Sequence, residues 1–500
     1  MSSLLTRARR DRELDAATRA PVDLLVVGGG VSGAGVALDA ASRGLSVVLV
    51  EKDDLAFGTS RWSSKLVHGG LRYLASGDVG LALESARERD ALMRRTAPHL
   101  VRPLPMAVPV GVGLGRRDAL LVDAGHRVAD VLRRGVGTPR SVLPRPRRVG
   151  VEEAVRLLPG VRREGLQGAL VGWDGQLEDD ARLVVGLART AAAHGASVLT
   201  RVRALSVDGE GADVRDALTG ETARLPARAV VNATGVWADV LSPATRLRPS
   251  KGVHAVLRAT SLGSPVAAMT VPVPGEANRY VFALPHPDGL VHVGLTDDPL
   301  HGPLPEVPPV DRAEVRFLLD TLSAGLEVPL AEDDVVGTYA GLRPLVAGSE
   351  GRTADLSRRH AVTRDDSGAW TLVGGKLTTY RRMAQDAVDR VTDLPCRTRD
   401  LPLVGATGPL PRGVPARLVR RYGSEAGEVA ALARDARDLA PVAPGVPVLG
   451  VELRWGVRAE GALSTEDLLE RRTRLSLVDA WADAARPAAE AAAEELLSAR

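Results

Sequence analysis

Residues 23–51 read DLLVVGGGVSGAGVALDAASRGLSVVLVE, and this stretch decides the fold of the chain. It opens with a short apolar run and continues through a glycine turn into a segment with helical spacing. A second apolar run, rich in valine, closes the stretch. Two parallel strands joined by a crossover helix form a βαβ unit. The stretch therefore predicts an α/β fold built on a parallel sheet.

The glycines of this turn have the spacing of a dinucleotide-binding loop. Gly28, Gly30 and Gly33 form G-x-G-x-x-G directly after the first strand, with Val31 and Ser32 between the last two glycines. The first glycine permits a tight turn, the second lets backbone amides approach a pyrophosphate, and the third lets the helix pack closely on the strand. The helix N-terminus adds partial positive charge near the phosphates. We therefore expect a dinucleotide at this turn.

Glu51 supports the same interpretation. It ends the second strand about 20 residues after the glycines, where a carboxylate accepts hydrogen bonds from the adenosine ribose. The alternative is a tight turn between strand and helix that binds no ligand. That alternative leaves Glu51 without an explanation.

The segment after the second strand, DDLAFGTSRWSSKLVHGGLRYL at 53–74, favours a flavin over a nicotinamide cofactor. In glutathione-reductase-like flavoproteins, a polar stretch containing glycine follows the second strand and returns to the cofactor. Small donors and close backbone approach are provided here by Ser60, Ser63, Ser64, Gly69 and Gly70. Later, residues 232–235 (NATG) end an apolar run with small residues, as the turn facing the cofactor does. An ordinary loop at a strand end is the alternative for that turn.

Composition limits the class of protein. At about 100–200 residues per domain, 500 residues suggest roughly three domains. Hydrophobic residues make up 45% and charged residues 25%, which excludes disordered, collagen-like and disulfide-scaffold chains. A formal charge of +3 and 3% aromatic residues do not indicate nucleic-acid binding. The single cysteine, Cys396, excludes an internal disulfide, and no residues have metal-ligand spacing.

The first 20 residues and the apolar stretches indicate where in the cell the protein resides. Residues 1–20 contain no apolar region of a secretory signal, and we expect a polar, frayed tail there. The longest apolar stretch, Leu24–Leu38, is too short to span a membrane. We expect a cytoplasmic protein, with the inner face of the cell membrane as a surface against which it could lie.

Lysine occurs only at Lys52, Lys65, Lys251 and Lys376, and every other basic residue is arginine. Such a skew is typical of a GC-rich genome, in which a surface lysine is readily replaced by arginine. The four lysines therefore mark positions where a compact ammonium is hard to replace by a planar guanidinium, although chance is the alternative for each.

The pattern of elements predicts a discontinuous domain organisation. Strand and helix signals return around residues 164–250 and again near 340–395, whereas 250–300 alternates as antiparallel hairpins do. The residues after 410 are rich in alanine and charge and are predicted to be helical. The predicted division has three units: a cofactor domain at 21–104, 164–250 and 340–395, a substrate or cap domain at 105–163 and 251–339, and a helical domain at 410–500.

Seven segments together resemble one family. The segments GGGVSGAGVALDAASRGLSVVLVE, TSRWSSKLVHGGLRYL, VNATGVW, SKGVH, VGLTD, GLRPL and VGGKLTTYR occur in the order found in the aerobic, FAD-dependent glycerol-3-phosphate dehydrogenases. The resemblance runs from about 23 to 390 and continues weakly into LLERRTRLSL at 468–477. It implies an FAD-binding Rossmann-like domain of the glutathione-reductase or D-amino-acid-oxidase type, an inserted β-rich substrate domain and a C-terminal α-helical domain.

The resemblance also implies an activity and a cofactor. That family oxidises sn-glycerol 3-phosphate to dihydroxyacetone phosphate, reduces FAD and passes electrons to membrane quinone. The residues that match its cofactor contacts, beyond the glycine turn and Glu51, are Lys52, Thr59, Ser60, Ser63, Ser64, Lys65, His68, Gly69, Gly70, Ala233, Thr234, Gly235, Gly375 and Thr378. For Thr378, capping of the following helix is the alternative.

The substrate pocket implied by the resemblance is cationic. Arg72 and Tyr73 in HGGLRY, Arg343 in GLRPL, Arg364 in AVTRDD and Lys376 in GGKLTTY match residues that line it. Arginine binds phosphate through two parallel hydrogen bonds, and Lys376 could contact either the phosphate or the reacting oxygen. Structural ion pairs are the alternative for these residues.

The proton acceptor is chosen among histidines. His254 in SKGVH lies where the family has residues near the flavin, and its ordinary pKa suits proton abstraction near neutral pH. His68 could serve equally, and a buried hydrogen-bonding histidine is the alternative for both. We favour His254 as the base, and expect Arg343 and Lys376 to be catalytic as well.

Several functional alternatives stay open at this point. An oxygen-using glycerol-3-phosphate oxidase has the same scaffold, but those oxidases carry an extra insertion that is not seen between Gly341 and Lys376. A non-catalytic flavin-binding protein would not need the cationic residues together. Residues 116–134 form an amphipathic segment with arginines at both ends that could contact a membrane or pack on the core. The oligomeric state is left open, with a homodimer as one alternative.

Overall fold

The computed structural model describes residues 2–70, 77–112, 114–276, 279–294, 296–300, 302–346 and 359–498. Two large sheets lie on either side of a deep cavity, and a helical domain packs behind them. The sheets are built from segments that alternate along the chain, so neither is continuous in sequence.

The first sheet has six strands and contains the βαβ stretch at residues 23–51. The strands of this sheet and their bounds, in spatial order, are β18 (His360–Arg364), β19 (Trp370–Gly374), β11 (Val230–Asn232), β1 (Leu24–Val27), β2 (Val47–Glu51) and β7 (Ser197–Thr200). All neighbours are parallel except β18 and β19. Strand β1 is buried along its whole length, as the apolar run predicts for a parallel sheet covered on both faces.

Three helices cover one face of this sheet: α2 (Val31–Ser42), α6 (Asp180–Ala193) and α9 (Tyr380–Val388). Helix α2 packs between the other two. Gly35 lies against Tyr380, where an added Cβ would sit 3.0 Å from the ring, so the small residue allows this close helix contact. The βαβ unit predicted at residues 23–51 is present.

The second sheet has ten strands and is mostly antiparallel. Its strands along the main path are β16 (Asp298–Pro299), β12 (Ser250–Arg258), β15 (Leu290–Gly294), β14 (Tyr280–Pro285), β13 (Ala268–Pro272), β4 (Val101–Val110), β6 (Gly168–Leu177) and β3 (Leu66–Val67). In addition, β17 (Val335–Arg343) pairs with β12, and β5 (Arg147–Val149) pairs with β6. The hairpins expected at 250–300 are present as β12 to β15.

The strand membership differs from the predicted division in each of the three cofactor segments. β3 and the start of β4 lie inside 21–104, β6 lies inside 164–250, and the end of β17 lies inside 340–395, yet all four strands belong to the ten-stranded sheet. β6 pairs with β4 over ten residues, a long-range partner that the local pattern of β6 does not reveal.

The remaining elements connect and support the two sheets. A small antiparallel sheet consists of β8 (Val202–Asp208), β9 (Gly211–Asp216) and β10 (Thr222–Pro226). The connecting helices are α3 (Val79–Ala91), α4 (Arg116–Val136), α5 (Val151–Leu157), α7 (Ala238–Leu241) and α8 (Arg312–Ser323).

The C-terminal region is helical, as the sequence predicts. It contains α10 (Ala416–Tyr422), α11 (Ala426–Ala430), α12 (Gly450–Ala459) and α13 (Asp479–Ser498). A π-helical turn at Asp467–Arg472 lies between the last two helices. An apolar cluster joins this region to the ten-stranded sheet through Val256 and Tyr339.

The N-terminal segment differs from the expected frayed tail. Residues Arg7–Ala17 form α1, with Thr6 as its N-cap. The guanidinium of Arg10 is buried and pairs with Asp216 at 2.6 Å, and Leu5 is buried against the C-terminal region. The polar composition of α1 concealed this, because the helix is held by the buried Arg10–Asp216 pair and packs few apolar side chains, Leu14 and Ala17, against the core.

Within the described ranges, no helix combines the length and the apolar character needed to cross a membrane.

Candidate active site

A cavity of about 1950 Å³ opens between the two sheets. Small-molecule sites usually occupy about 300–1,000 Å³, so this cavity has room for a dinucleotide and a second, smaller ligand. The six-stranded sheet contributes the ends of β1, β2 and β11 at one end, and β12, β17 and β6 of the larger sheet contribute the other.

The first end of the cavity is shaped by main chain. Gly28 has a φ of +113°, and a Cβ at this residue would lie 2.7 Å from the carbonyl oxygen of Ala233. A Cβ at Gly33 would overlap the carbonyl oxygen of Gly28. Gly30 caps α2 without a side-chain hydrogen bond, and Ser60 Oγ accepts a hydrogen bond from Val31 N at 2.9 Å. This helix N-terminus faces the cavity, as a pyrophosphate site requires.

Glu51 and Lys52 lie at the same end. The Glu51 carboxylate accepts hydrogen bonds from Gly29 N at 2.6 Å and Asp53 N at 2.9 Å. Desolvation raises the pKa of Glu51, while these two amides act in the opposite direction. Lys52 lies 5.0 Å from the centre of the Phe57 ring and pairs with Glu306 at 2.6 Å. Both residues line the cavity, where a ribose hydroxyl could donate to the Glu51 carboxylate.

The polar segment at 59–64 crosses between the two sheets. Thr59 Oγ1 donates to the carbonyl of Leu342 at 2.7 Å, which ties the segment to β17. Ser63 donates to Asp180 through both its amide, at 3.0 Å, and its hydroxyl, at 2.7 Å. Thr59, Ser60, Ser63 and Ser64 all line the cavity.

His254 lies at the second end of the cavity on β12. Its Nε2 is 2.9 Å from Ser64 Oγ, and the ring is buried. The imidazole covers Gly294 of the neighbouring strand β15, where any Cβ would overlap the ring. Desolvation, followed by the charges of Lys65 and Arg343, lowers the pKa of His254 well below its usual value. The imidazole is therefore neutral at physiological pH and able to accept a proton.

Arg343 ends β17 beside His254. Its guanidinium lies over Gly252, where a Cβ would overlap Nη2. Nη1 donates to Ser250 Oγ at 2.9 Å and lies 3.1 Å from Asp297 Oδ1, and Nη2 donates to the carbonyl of Thr296 at 3.0 Å. These contacts fix the orientation of the guanidinium in the cavity wall.

Lys376 enters the cavity from the turn between β19 and α9. Gly374 and Gly375 both have positive φ, so this turn needs glycine. Lys376 Nζ donates to Ser85 Oγ at 2.7 Å, and Thr378 Oγ1 accepts a hydrogen bond from His68 N at 3.2 Å. Gly375, Lys376 and Thr378 line the cavity.

Asp174 and Arg89 also belong to the site, and sequence reasoning missed both. Asp174 on β6 accepts from Gly69 N at 3.0 Å, lies 3.1 Å from His68 Nδ1, and pairs with Arg89 at 2.7 Å. Arg89 covers Gly69, where a Cβ would overlap its guanidinium. The HGG motif is thus held by an aspartate more than a hundred residues away.

Two family models, taken together, and a named relative match most of the length of this chain. The model of the FAD-dependent oxidoreductase family matches residues 23–381, and that of the C-terminal domain of alpha-glycerophosphate oxidase matches 371–498. Glycerol-3-phosphate dehydrogenase 1 of Mycobacterium tuberculosis is 52% identical over 494 residues, which cover 95% of this chain and 96% of that protein.

The chain belongs to the FAD-dependent glycerol-3-phosphate dehydrogenase family.

A further relative and a solved structure support membership in the same family. The probable mitochondrial glycerol-3-phosphate dehydrogenase of Dictyostelium discoideum is 35% identical, covering 92% of this chain and 78% of that protein. The structure of the Bacillus halodurans glycerol-3-phosphate dehydrogenase, complexed with FAD, has a TM-score of 0.73 at 26% identity. The structural match covers 98% of this chain and 93% of the Bacillus halodurans chain. The FAD-binding fold expected from the sequence is therefore confirmed.

FAD is the cofactor of this family, and the main-chain end of the cavity fits it. The N-terminus of α2, where Gly30 supplies no capping side chain, can receive the pyrophosphate, and Glu51 can receive the ribose. In the part of the chain that the structure describes, no cluster of three metal-ligating side chains occurs.

The structure brings most of the predicted site residues to one cavity and leaves a few elsewhere. Of the cofactor residues proposed from the sequence, all line the cavity except Gly33, which supports the turn, and Lys65, which is buried behind Tyr339. Arg364 lies exposed at the end of β18, 5.4 Å from the Trp370 ring, and does not line the cavity. Arg72 and Tyr73 lie outside the described residues.

The four lysines do not share one role. Lys52 and Lys376 line the cavity, and Lys65 lies behind its wall. Lys251 instead pairs with Asp311 and Glu314 at the N-terminus of α8, a structural contact. The scarcity of lysine therefore marked three positions at or behind the site and one that only supports the fold.

Proposed function

We propose that this protein oxidises glycerol 3-phosphate to dihydroxyacetone phosphate with FAD as the acceptor, and passes the electrons to a quinone. The observation that carries this proposal is one cavity in which a dinucleotide cradle meets the buried His254 and fixed cationic groups. When bound, FAD supplies a two-electron acceptor. Every other role in the proposal belongs to side chains of this chain.

The cationic groups suit a small phosphate ester. Arg343, Lys376 and Arg89 reach the cavity from three separate elements. A guanidinium binds phosphate through paired hydrogen bonds, and an ammonium adds a point charge. Asp174 and Asp297 orient the two arginines, so their charges are partly compensated when no phosphate is present.

His254 is proposed as the base for the hydroxyl on the reacting carbon. The neutral imidazole accepts that proton at Nε2, the nitrogen that Ser64 Oγ contacts. Arg343 lies beside it and stabilises the negative charge that develops on the oxygen as the proton leaves. His68 is the weaker candidate, because its side chain is 48% exposed whereas His254 is buried.

Anaerobic flavin bleaching tests the core of this proposal. The purified yellow holoenzyme is mixed with glycerol 3-phosphate without oxygen, and the flavin absorbance is followed. Bleaching by glycerol 3-phosphate, with little bleaching by glycerol, is expected because glycerol lacks the phosphate. A colourless protein that refuses FAD, or equal bleaching by both compounds, would overturn the proposal.

The acceptor of the electrons separates this proposal from the oxidase alternative. Quinone is proposed because the resemblance covers the dehydrogenases and the segment between Gly341 and Lys376 carries no long insertion. Oxygen uptake with and without a soluble quinone analogue tests the choice. Rapid peroxide formation without quinone would favour the oxidase.

Helix α4 is proposed as a membrane contact near the exit of the cavity. Its outer face carries a stripe of apolar side chains, each between 47 and 72% exposed: Leu120, Leu121, Val128 and Val131. Exposed arginines accompany the stripe at residues 117, 127 and 134. Leu121 and Val128 also line the cavity, so the cavity reaches this surface. An apolar stripe flanked by cations suits the interface of an anionic bilayer.

Co-sedimentation with vesicles tests the membrane contact. Vesicles containing anionic lipid should pellet the protein at low salt, and Leu121→Glu should release it. Leu205→Glu, at an exposed position of β8, is the matched control and should still pellet. Binding that survives Leu121→Glu would contradict the assignment to α4.

Two finer points from the sequence are also proposals. The six-stranded sheet is assigned to the cofactor and the ten-stranded sheet to the substrate, which would move β3, β6 and the parts of β4 and β17 that lie in the predicted cofactor segments into the substrate unit. A cytoplasmic location at the inner face of the membrane follows from the proposed acceptor. The homodimer stays a prediction.

A further inference from the structure

The segment LLERRTRLSL at 468–477 resembles the family but has no part in the cavity. Among the described residues, none beyond Met383 lines the cavity. The segment nevertheless packs against Asp54 and against Arg61 of the polar segment 59–64, which crosses between the two sheets. Arg471 and Arg472 pair with Asp54, both at 2.7 Å, and Glu470 pairs with Arg61.

Arg474 connects this segment to Trp62 in the cavity wall. Its Nη2 donates to the carbonyl of Arg61 at 2.5 Å, and its Nη1 donates to the carbonyl of Glu470 at 2.6 Å. The guanidinium lies 5.0 Å from the centre of the Trp62 ring. Trp62 lines the cavity and packs over Gly341, where a Cβ would lie 2.8 Å from the Trp62 Cβ.

From Trp62 a column of rings continues to the base. The Trp62 and Tyr339 rings are stacked with centroids 5.7 Å apart, and Tyr339 stacks on His254 at 4.6 Å. The Tyr339 hydroxyl donates to the carbonyl of Ser63 at 3.1 Å, and Ser64 Oγ is hydrogen-bonded to His254 Nε2. The column and the segment 61–64 therefore constrain each other at both ends.

The backbone of Arg474 has a conformation that its side-chain contacts stabilise. Its φ is +64°, in the left-handed region that favours glycine. Such a conformation persists in other residues where the surroundings hold it. Here the guanidinium supplies those contacts, two to carbonyl oxygens and one to an indole ring.

We propose that Arg474 is a positioning residue through which the C-terminal helical domain aligns the Ser64–His254 pair. The inference rests on the proposed function in taking His254 as the base. It assigns the C-terminal domain a role in the chemistry, although that domain does not touch the cavity.

The test compares Arg474→Gly with a matched control. Glycine relieves the left-handed backbone, so the variant removes the side chain without adding strain. Arg201→Gly is the control, because Arg201 also has a positive φ, of +60°, and its guanidinium pairs with Asp467 of the same π-helical turn at 2.6 Å. In the described structure Arg201 makes no ring contact with the column.

The holoenzymes are compared by steady-state kinetics with glycerol 3-phosphate and by FAD content. Arg474→Gly should lose about tenfold in kcat, because misplacement of a base by a fraction of an ångström weakens proton transfer. Its KM should stay within about twofold, and FAD should be retained. Arg201→Gly should match the unmodified protein in both constants. A kcat for Arg474→Gly equal to that of Arg201→Gly would overturn the inference.

A readout independent of turnover separates this inference from the proposed function. The ring ¹⁵N resonances of His254 should move in Arg474→Gly and not in Arg201→Gly, whether or not glycerol 3-phosphate is the substrate. If Arg474→Gly fails to fold, Arg474→Lys keeps a cation near Trp62 and loses one carbonyl contact. That variant should show an intermediate kcat and a smaller resonance shift, and an unchanged His254 resonance would refute the role of Arg474.

Discussion

The two ends of the cavity are built in different ways. At the dinucleotide end, main-chain atoms of residues 28–33 form the surface, and glycine is needed at 28 and 33 because a Cβ there would clash with neighbouring main-chain atoms. At the reacting end, side chains of His254, Arg343 and Lys376 come from three separate elements. A surface made of backbone is encoded in consecutive residues, whereas a surface made of side chains depends on the whole fold. Substitutions at the two ends should therefore fail in different ways.

The largest effect is expected at the dinucleotide end. Gly33→Ala places a Cβ against the carbonyl oxygen of Gly28, so α2 must shift away from β1. We expect loss of FAD binding and a destabilisation of about 3 kcal/mol or more. The measurements are the flavin absorbance of the purified protein and its urea unfolding. Gly135→Ala, where an added Cβ meets nothing within 4 Å, is the control and should remain yellow.

A loss of catalysis without loss of FAD is expected at the reacting end. His254→Ala removes the proposed base but leaves the glycine turn and Glu51 untouched. Removal of a general base typically lowers kcat by about 10²–10⁴-fold. The flavin spectrum should stay that of the bound cofactor, and bleaching by glycerol 3-phosphate should slow by a similar factor. Normal bleaching in this variant would transfer the role of base to His68.

The same contrast explains what the sequence could predict. The βαβ unit, the glycine turn and Glu51 were predicted from residues 23–51, because strand, turn and helix signals are local. Ser60, Ser63 and Ser64, which the polar segment after the second strand also predicts as cofactor contacts, line the cavity. For the reacting end, the resemblance supplied His254, Arg343 and Lys376, and no periodic pattern would have found them.

The residues that were missed act over long distances in sequence. Asp174 and Arg89 hold the HGG motif from other elements, and Tyr339 supports His254 from the paired strand. The glycines of the SKGVH, VGLTD and GLRPL motifs gave a signal that was not used. Gly252 of SKGVH lies beneath Arg343, and Gly294 of VGLTD lies beneath His254. Gly341 of GLRPL lies beneath Trp62. A glycine inside a strand often marks such a close approach.

A smaller effect, on the pH dependence of activity, is expected for Lys65, which is buried behind the cavity wall. Lys65 is buried with its ammonium 4.7 Å from the Tyr339 ring, and its charge lowers the pKa of His254. Lys65→Met removes that charge, so the pKa of His254 should rise. The base must be neutral, and activity therefore disappears as pH falls through that pKa. The acid limb of kcat/KM should move to higher pH.

Lys251→Met is the matched control for this pH shift. Lys251 is also a buried lysine, but it pairs with Asp311 and Glu314 and does not influence the pKa of His254. Its pH profile should stay that of the unmodified protein. An acid limb that moves equally in both variants would mean that the shift reflects general loosening of the fold.

The smallest effect is expected at Arg364, where resemblance and structure differ. The resemblance places this arginine in the substrate pocket, whereas the structure has it exposed at the end of β18, donating to the carbonyl of Gly368 at 2.9 Å. Arg364→Ala should change stability by no more than about 0.5 kcal/mol, as exposed substitutions usually do. KM for glycerol 3-phosphate should stay within about twofold, while Arg343→Ala should raise KM and lower kcat. A tenfold rise in KM for Arg364→Ala would show that β18 moves its arginine onto the phosphate when substrate binds, and the reacting end would then be completed by the ligand instead of standing preformed.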